Sequence, residues 1–331
     1  MSDERIVFLG TPDMAAQALK ALVESGFNVV GVVSQPDSPK GRSHTPTPSP
    51  VSAMALELGI PLHRPVKLNH DYDFVARLKP DVLLTFAFGQ ILSSKVLALS
   101  GKFPPLNVHA SDLPRLRGAS PIQTAILEGD RETAVCLMEM VKAMDAGRVF
   151  ARQKVAIAAE ENTTTLSAKI VSVAIRMLRE YLPKYFSNQL VGEVQDEGAA
   201  TVCHILKKED SLLTPDLSPA SFVNKVRAFA LKPGAFLRLD GGLEIKVYRC
   251  VGLLDGKDHG QGVVEKAQDG EFVIGLKGGY VKLLTLQKPG KKAMDAKAFL
   301  NGERGLAGKR MLGVDEVFPT QTNGDSTPER K

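Results

Sequence analysis

A mostly parallel α/β sheet domain followed by a small antiparallel β-barrel is the architecture this sequence predicts. Three observations predict it. Short apolar runs alternate with amphipathic helical stretches in the first half, brief alternating segments with Gly-rich turns fill the second, and charge shifts between the halves. In the first half, residues 5–10 form a short buried strand closed by Gly10. Asp13 is placed to cap a helix to about Glu24, with Ala15, Ala18, Leu19 and Leu22 on its apolar face and Gly26 as its stop. Residues 28–33 are the next strand, 51–58 the next helix and 81–86 a third strand. Helical patterns return at 118–128 and 162–182. Such Rossmann-like alternation places ligands beyond the carboxyl ends of the strands, where Gly10-Thr11, residues 86–90 and residues 107–111 all fall.

Residues 34–50 are too rich in Pro and Ser for regular structure and form a long basic loop at that same edge. A polar stretch from about 188 to 210 leads into the second half, where 220–229 reads as a helix. Segments 234–239, 243–248, 262–265, 271–276 and 280–286 alternate as strands. Asp240-Gly241-Gly242, Asp269-Gly270 and Lys277-Gly278-Gly279 supply the turns. Five short strands with one helix point to a closed barrel of oligonucleotide-binding (OB) type.

Composition excludes several classes. The 331 residues are 44% hydrophobic, and no apolar run reaches the roughly 20 residues that span a bilayer. The polar amino terminus lacks a signal-peptide layout, and Cys136, Cys203 and Cys250 are too dispersed for a disulfide framework or a CxxC metal site. A cytoplasmic setting is expected. Over residues 211–310, 12 Lys and 5 Arg face 10 Asp and Glu, so the net +5 is the balance of a basic second half and a mildly acidic remainder. That basic half serves either a polyanionic partner or plain solvation.

The first strand–turn, Gly10-Thr11-Pro12-Asp13, is not GxGxxG, which disfavours a dinucleotide. No P-loop and no HExxH occurs, Gly118-Ala119-Ser120-Pro121-Ile122 lacks the second glycine of a nucleophile elbow, and the six His do not cluster. No metal is expected. What stands out is Asn107-Val108-His109, an amide and an imidazole two apart and so on one strand face, with Asp145 on a separate loop. An amide donor, an imidazole and a carboxylate are the parts that stabilise an oxyanion and move a proton in acyl transfer. Each also has a structural use: His109 in a core, Asn107 bonding a loop, Asp145 shaping a turn.

Gly10-Thr11-Pro12-Asp13, Asn107-x-His109-x-Ser111-x-Leu113-Pro114, Arg117-Gly118-Ala119-x-Pro121-Ile122 and Met144-Asp145-x-Gly147 resemble the formyltransferases that use 10-formyltetrahydrofolate. Arg227-Ala228-Phe229, Pro233-Gly234-Ala235 and Leu286-Gln287-x-Pro289-Gly290-Lys291-Lys292-x-Met294 resemble the carboxy-terminal domain of the members that act on tRNA. The resemblance spans about residues 4–312. Pattern and resemblance together give a catalytic domain over 1–188, a linker over 189–210 and a basic OB-like tRNA-binding domain over 211–315, and the sequence pattern predicts a disordered tail over 316–331. The implied co-substrates are 10-formyltetrahydrofolate and an initiator methionyl-tRNA, handled by a monomer with no membrane partner.

Residue by residue, the resemblance makes Asn107, His109 and Asp145 catalytic. It gives Phe86, Phe88, Gly89, Gln90, Ile91, Ser111, Leu113, Pro114 and Val141 to the folate, largely through backbone groups. Met14, Arg42, Lys207, Lys288, Lys291 and Lys292 go to the aminoacyl-tRNA. Formyltransferases acting on nucleotide-linked amino sugars share the Asn, His and Asp set, but the basic loop and the Lys-Pro-Gly-Lys-Lys segment favour tRNA. Three departures from the family pattern stand out: Ser43 where glycine or lysine is usual, Asp112 in place of leucine, and Ala230-Leu231-Lys232 before Pro233.

Overall fold

The computed structural model describes residues 3–39, 45–230 and 233–319. Two compact units divide the chain, Met1–Ala125 with Asp130–Ile205, and Ile126–Gly129 with Leu206–Lys331. The first begins with β1 (Ile6–Gly10), α1 (Asp13–Glu24) and β2 (Val29–Val33). A two-residue ribbon follows, β3 (Ser38–Pro39) against β4 (Pro46–Thr47), and then α2 (Pro50–Glu57) and β5 (Leu62–His63). Next come α3 (Asp73–Leu78), β6 (Val82–Phe86), α4 (Ser94–Leu97) and β7 (Leu106–His109). The chain continues through β8 (Arg117–Gly118), α5 (Pro121–Leu127), β9 (Glu132–Glu139), β10 (Val149–Ala156), α6 (Thr163–Phe186) and β11 (Val202–Cys203).

Seven strands form one sheet in the order β10-β9-β7-β6-β1-β2-β5. The five from β7 to β5 run parallel, while β9 and β10 are antiparallel additions. Both β1 and β6 are buried at every position, which is why they read as continuous apolar runs rather than alternating ones. The α/β architecture is the one expected, and β9 and β10 are strands the sequence reading did not find.

Helix ends follow local chemistry. At α1 the N-cap is Pro12 without a side-chain cap, and Asp13 lies inside the first turn, bonded by Gln17 at 2.6 Å. Asp13 is therefore not the cap, although its charge still suits the positive end of the helix dipole. Ser49 does cap α2, accepting from Ser52 N at 3.0 Å with Pro50 at the first helical position. Asn162 caps α6 in a capping box, and α6 packs on α1, β9 and β10.

The expected linker is not a free connector. Glu193 bridges Val149, and β11 pairs in parallel with β8, Val202 opposite Arg117 and Cys203 opposite Gly118. Residues 193–203 are thus built into the first unit.

The second unit has α7 (Pro219–Ala228), β12 (Phe236–Arg238), β13 (Glu244–Gln268), β14 (Glu271–Gln287), β15 (Met294–Asp295), α8 (Ala296–Asn301) and α9 (Val314–Val317). Four of the expected strand segments are thus two long antiparallel strands. Asp269 and Gly270, at φ of 53° and 77°, make the tight turn between them, as the Asp-Gly pair predicts. Lys277–Gly279 is instead a kink inside β14, where register slips between Leu254↔Gly279 and Asp258↔Lys277. Bulges break the period-two pattern there, so a sequence reading splits each strand in two. Met311 bridges Leu239 at the end of β12 while Arg310 bridges Val263 late in β13, tying opposite parts of the sheet into a barrel-like closure.

The disordered tail expected from residue 316 does not begin there. Val317 is buried with Leu212 and Phe236, and Phe318 meets Phe236 edge-on at 6.4 Å. Apolar residues at these two positions carry the fold to the end of the described chain.

Candidate active site

The register of the parallel sheet sets the site. β7 pairs with β6 through Thr85↔Asn107 and Phe86↔Val108, and with β9 through Asn107↔Met138 and His109↔Cys136. Asn107 and His109 therefore project from one face at the carboxyl end of a central strand. Asp145 arrives from the loop between β9 and β10.

The three side chains meet. Asn107 Nδ2 donates to Asp145 Oδ1 across a long 3.4 Å, and His109 Nδ1 lies 3.6 Å from Asp145 Oδ2. The first is a weak hydrogen bond and the second is an ion-pair distance. His109 is only 5% exposed, and its other nitrogen, Nε2, lies 2.9 Å from the carbonyl oxygen of Leu116. A carbonyl can only accept, so Nε2 carries a proton and Nδ1 is the nitrogen turned toward Asn107 and Asp145.

Backbone conformation aims these groups. Leu116 sits at φ of 57°, unusual for a bulky residue, and its carbonyl receives His109, the Ser111 hydroxyl at 3.2 Å and the Cys203 thiol at 3.6 Å. Asp145 is also left-handed, at φ of 50°. Its Oδ2 accepts from the main-chain N–H of Gly118 at 2.9 Å. Gln195 Nε2 donates to the carbonyls of Asp145 and Gly147 at 2.8 and 2.7 Å. Gly147 has no room for a side chain, since a Cβ would stand 2.0 Å from Glu139 O. Gln195, Arg117 and the Leu116 carbonyl were absent from the sequence-based site. Arg117 lay inside a quoted motif, but a main-chain acceptor and a glutamine 50 residues from its partner leave no local signature.

The residues expected at the folate divide in two. Phe86 and Phe88 are buried, and Phe88 belongs to the core cluster with Val7, Leu9, Val33 and Leu92. Leu113 is buried with Cys136, Met138 and Val149, and the Ser111 hydroxyl is spent on Arg115 O at 2.6 Å and on Leu116 O. Gln90 is tied to Leu68 N at 2.8 Å, Pro65 O at 3.1 Å and Gln35 Oε1 at 3.2 Å. These side chains are engaged in packing and hydrogen bonds within the protein itself. Gly89, Ile91 and Val141 are exposed, Ile91 at 79%, and Pro114 is half-buried. The extra charge of Asp112 is answered by Lys154 at 2.5 Å and Arg152 at 3.3 Å.

Of the residues expected at the aminoacyl-tRNA, Met14 is half-buried at the start of α1. Arg42, Ser43 and the Leu231-Lys232 departure lie outside the described residues. Lys207, Lys291 and Lys292 are exposed, with no ion-pair partner among the described residues. Lys288 is not free: it is ion-paired with Glu303 and lies over the Phe299 ring. Much of the barrel's basic surplus is answered likewise, Lys266 and Lys282 by Glu271, Arg238 by Glu244 and Arg310 by Glu316.

Among the described residues no group of His, Cys, Asp and Glu is arranged to hold a metal ion, and no helix is long and apolar enough to cross a membrane. A 660 Å³ concavity at the amino ends of β1 and β2, lined by Glu4, Phe27, Arg179 and Phe186 among others, contains none of the three convergent residues.

A family model described as formyl transferase matches residues 4–182, and one described as formyl transferase, C-terminal domain, matches residues 205–304. The methionyl-tRNA formyltransferase of Kosmotoga olearia is 38% identical over 297 residues, covering 88% of this chain and 94% of that protein. That of Bacillus licheniformis is 39% identical over 317 residues, covering 94% of this chain and 99% of its own. Among solved structures, an N-formyltransferase from Helicobacter canadensis, in complex with folinic acid and dTDP-3-aminofucose, has a TM-score of 0.63 at 16% identity, covering 84% of this chain and 98% of that one. The methionyl-tRNA formyltransferase from Clostridium thermocellum has a TM-score of 0.53 at 19% identity, covering 77% of this chain and 95% of that one. At such identities the two structures speak for the fold alone.

Proposed function

This chain belongs to the formyl transferase family, and from that premise we propose that it moves the formyl group of 10-formyltetrahydrofolate onto the free amine of an initiator methionyl-tRNA. The observation that carries this reading is the convergence of Asn107, His109 and Asp145 at the carboxyl edge of β7. The acceptor is argued from relatives named methionyl-tRNA formyltransferase that are 38–39% identical along nearly the whole chain.

The amine nitrogen attacks the formyl carbon, and the carbonyl electrons move to oxygen, building a tetrahedral alkoxide. Asn107 Nδ2 and a proton on His109 Nδ1 donate to that oxygen. Two aimed donors are worth most where charge develops, since their dipoles are already turned toward it. Asp145 faces both donors, so its carboxylate steadies a doubly protonated His109 and takes part in relaying the proton that the attacking amine must lose. Collapse of the intermediate breaks the bond to the folate nitrogen, which leaves protonated.

The folate is held by the exposed Gly89, Ile91 and Val141 and the half-buried Pro114, with the buried Phe86, Phe88, Ser111 and Leu113 as its scaffold. Lys207, Lys291 and Lys292 meet tRNA phosphates, Arg42 serves the acceptor end, and Met14 lies beside the methionine. A filter assay with formyl-labelled folate and methionyl-tRNA tests the proposal. Label transferred to the tRNA is expected; retention of tRNA without label, or transfer to a nucleotide-linked amino sugar alone, overturns it.

A further inference from the structure

Asp145 owes its position to a side chain on the segment that leaves the sheet for the second unit. Its backbone is left-handed, a conformation a non-glycine residue adopts at a cost and keeps only when its surroundings hold it. Here the holding group is Gln195. Its Nε2 bonds both Asp145 O and Gly147 O, at 2.8 and 2.7 Å, bracketing the turn. Its Oε1 accepts from Arg117 Nε at 3.1 Å and Nη2 at 2.9 Å. Arg117 in turn is paired with Glu197 at 2.7 Å. Gln195 and Arg117 are 7% and 6% exposed, so water does not substitute for either. Because Arg117 has only donors, the glutamine oxygen must face it, and the amide N–H groups must face the carbonyls. The next residue after Arg117 is Gly118, whose N–H holds the Asp145 carboxylate itself.

We infer that Gln195, anchored by Arg117, is a positioning residue of the formyl transfer: it fixes the main chain of Asp145 so that the carboxylate stays between Asn107 and His109. The inference rests on the function proposed above. Segment 193–203 is thereby a wall of the catalytic centre as well as a connection. Gln195 touches no substrate and acts through Asp145 alone.

Two substitutions in the full-length chain test this. Gln195→Glu keeps the bond to Arg117 but replaces the donor facing two carbonyl oxygens with an acceptor. Gln195→Met removes both interactions. Each is expected to lower kcat at least tenfold, the scale on which small misplacements of reacting groups act, while both KM values stay within twofold. In an Asp145→Asn background the same changes are expected to alter kcat less than twofold. Independently of activity, the imidazole ¹⁵N resonances of His109 in Gln195→Glu are expected to move toward those of Asp145→Asn. A kcat loss repeated in full in the Asp145→Asn background, a rise in KM in place of a fall in kcat, or unmoved His109 resonances in the folded variants overturns the inference. A wild-type chain that formylates no methionyl-tRNA defeats the proposed function instead, and the resonances still report on Gln195.

Discussion

The main-chain N–H of Gly118 donates to Asp145 Oδ2 across 2.9 Å, and that same oxygen faces His109 Nδ1 at 3.6 Å. A backbone donor thus fixes the carboxylate that faces the imidazole. Gly118 can do this because it lacks a side chain: β11 passes so close that a Cβ would stand 2.2 Å from Cys203 O, and its φ is 114°.

Gly118→Ala is therefore expected to push β8 and β11 apart and to move the donor away from Asp145. The strained backbone alone costs about 1–3 kcal/mol, before any contribution from the clash. Urea unfolding measures the stability loss, and kcat is expected to fall with it. A fully stable and active Gly118→Ala enzyme would contradict this account of the turn.

Removing one donor to the alkoxide is the most direct probe of the mechanism. Asn107→Ala is expected to lower kcat by about 10²–10³, equivalent to about 2.7–4 kcal/mol of barrier, with tRNA binding retained. His109→Ala is expected to fall at least as far. Steady-state kinetics with gel-shift binding checks both, and turnover close to wild type in either variant would remove the alkoxide contact from the mechanism.

The frame of this enzyme was legible because its signals are local. Buried parallel strands read as apolar runs, and Gly26 and the Asp269-Gly270 turn each announce an element boundary through their own chemistry. Asn107 and His109 were legible for the same reason, being two apart on a strand at the ligand edge. What escaped depends on distance along the chain. Gln195 reaches Asp145 across 50 residues, and the accepting group of Leu116 is main chain, so neither is encoded in a side-chain pattern. The bends in β13 and β14 escaped because bulges erase the alternation that marks a strand. The charge surplus of the second half was legible, but its pairing was not: Lys288 and Glu303 are 15 positions apart in sequence and adjacent in space.

Glu271 predicts how the barrel-like unit responds to acid. Lys266 at 2.6 Å and Lys282 at 2.8 Å bond its carboxylate and hold its pKa at about 2, below the ordinary 4.5. A depressed carboxylate contributes stability above its unfolded pKa and loses it as pH falls toward the folded one. The melting-temperature gap between wild type and Glu271→Gln is therefore expected to be constant above about pH 5 and to close toward pH 2. A gap of unchanged width down that range would show that these bonds contribute nothing to stability.

The lysines of the Lys288–Lys292 segment are expected to separate in their response to salt. A cation that neutralises a tRNA phosphate releases a counterion, so each contact steepens the fall of log affinity with log salt by somewhat under one. Lys291 and Lys292 are exposed and have no acidic partner among the described residues, which leaves them available for such contacts. Lys288 is already neutralised by Glu303 and rests against Phe299, so leaving Glu303 for a phosphate would exchange one anion for another. Replacing Lys291 and Lys292 together with alanine is expected to weaken tRNA binding and reduce the salt slope by up to about two. Lys288→Ala is expected to lower thermal stability, by loss of the ion pair and the ring contact, with the slope unchanged. Binding titrations across a series of potassium chloride concentrations separate the two effects. A slope reduced by Lys288→Ala, or left intact in the double variant, would place the phosphate contacts on other residues.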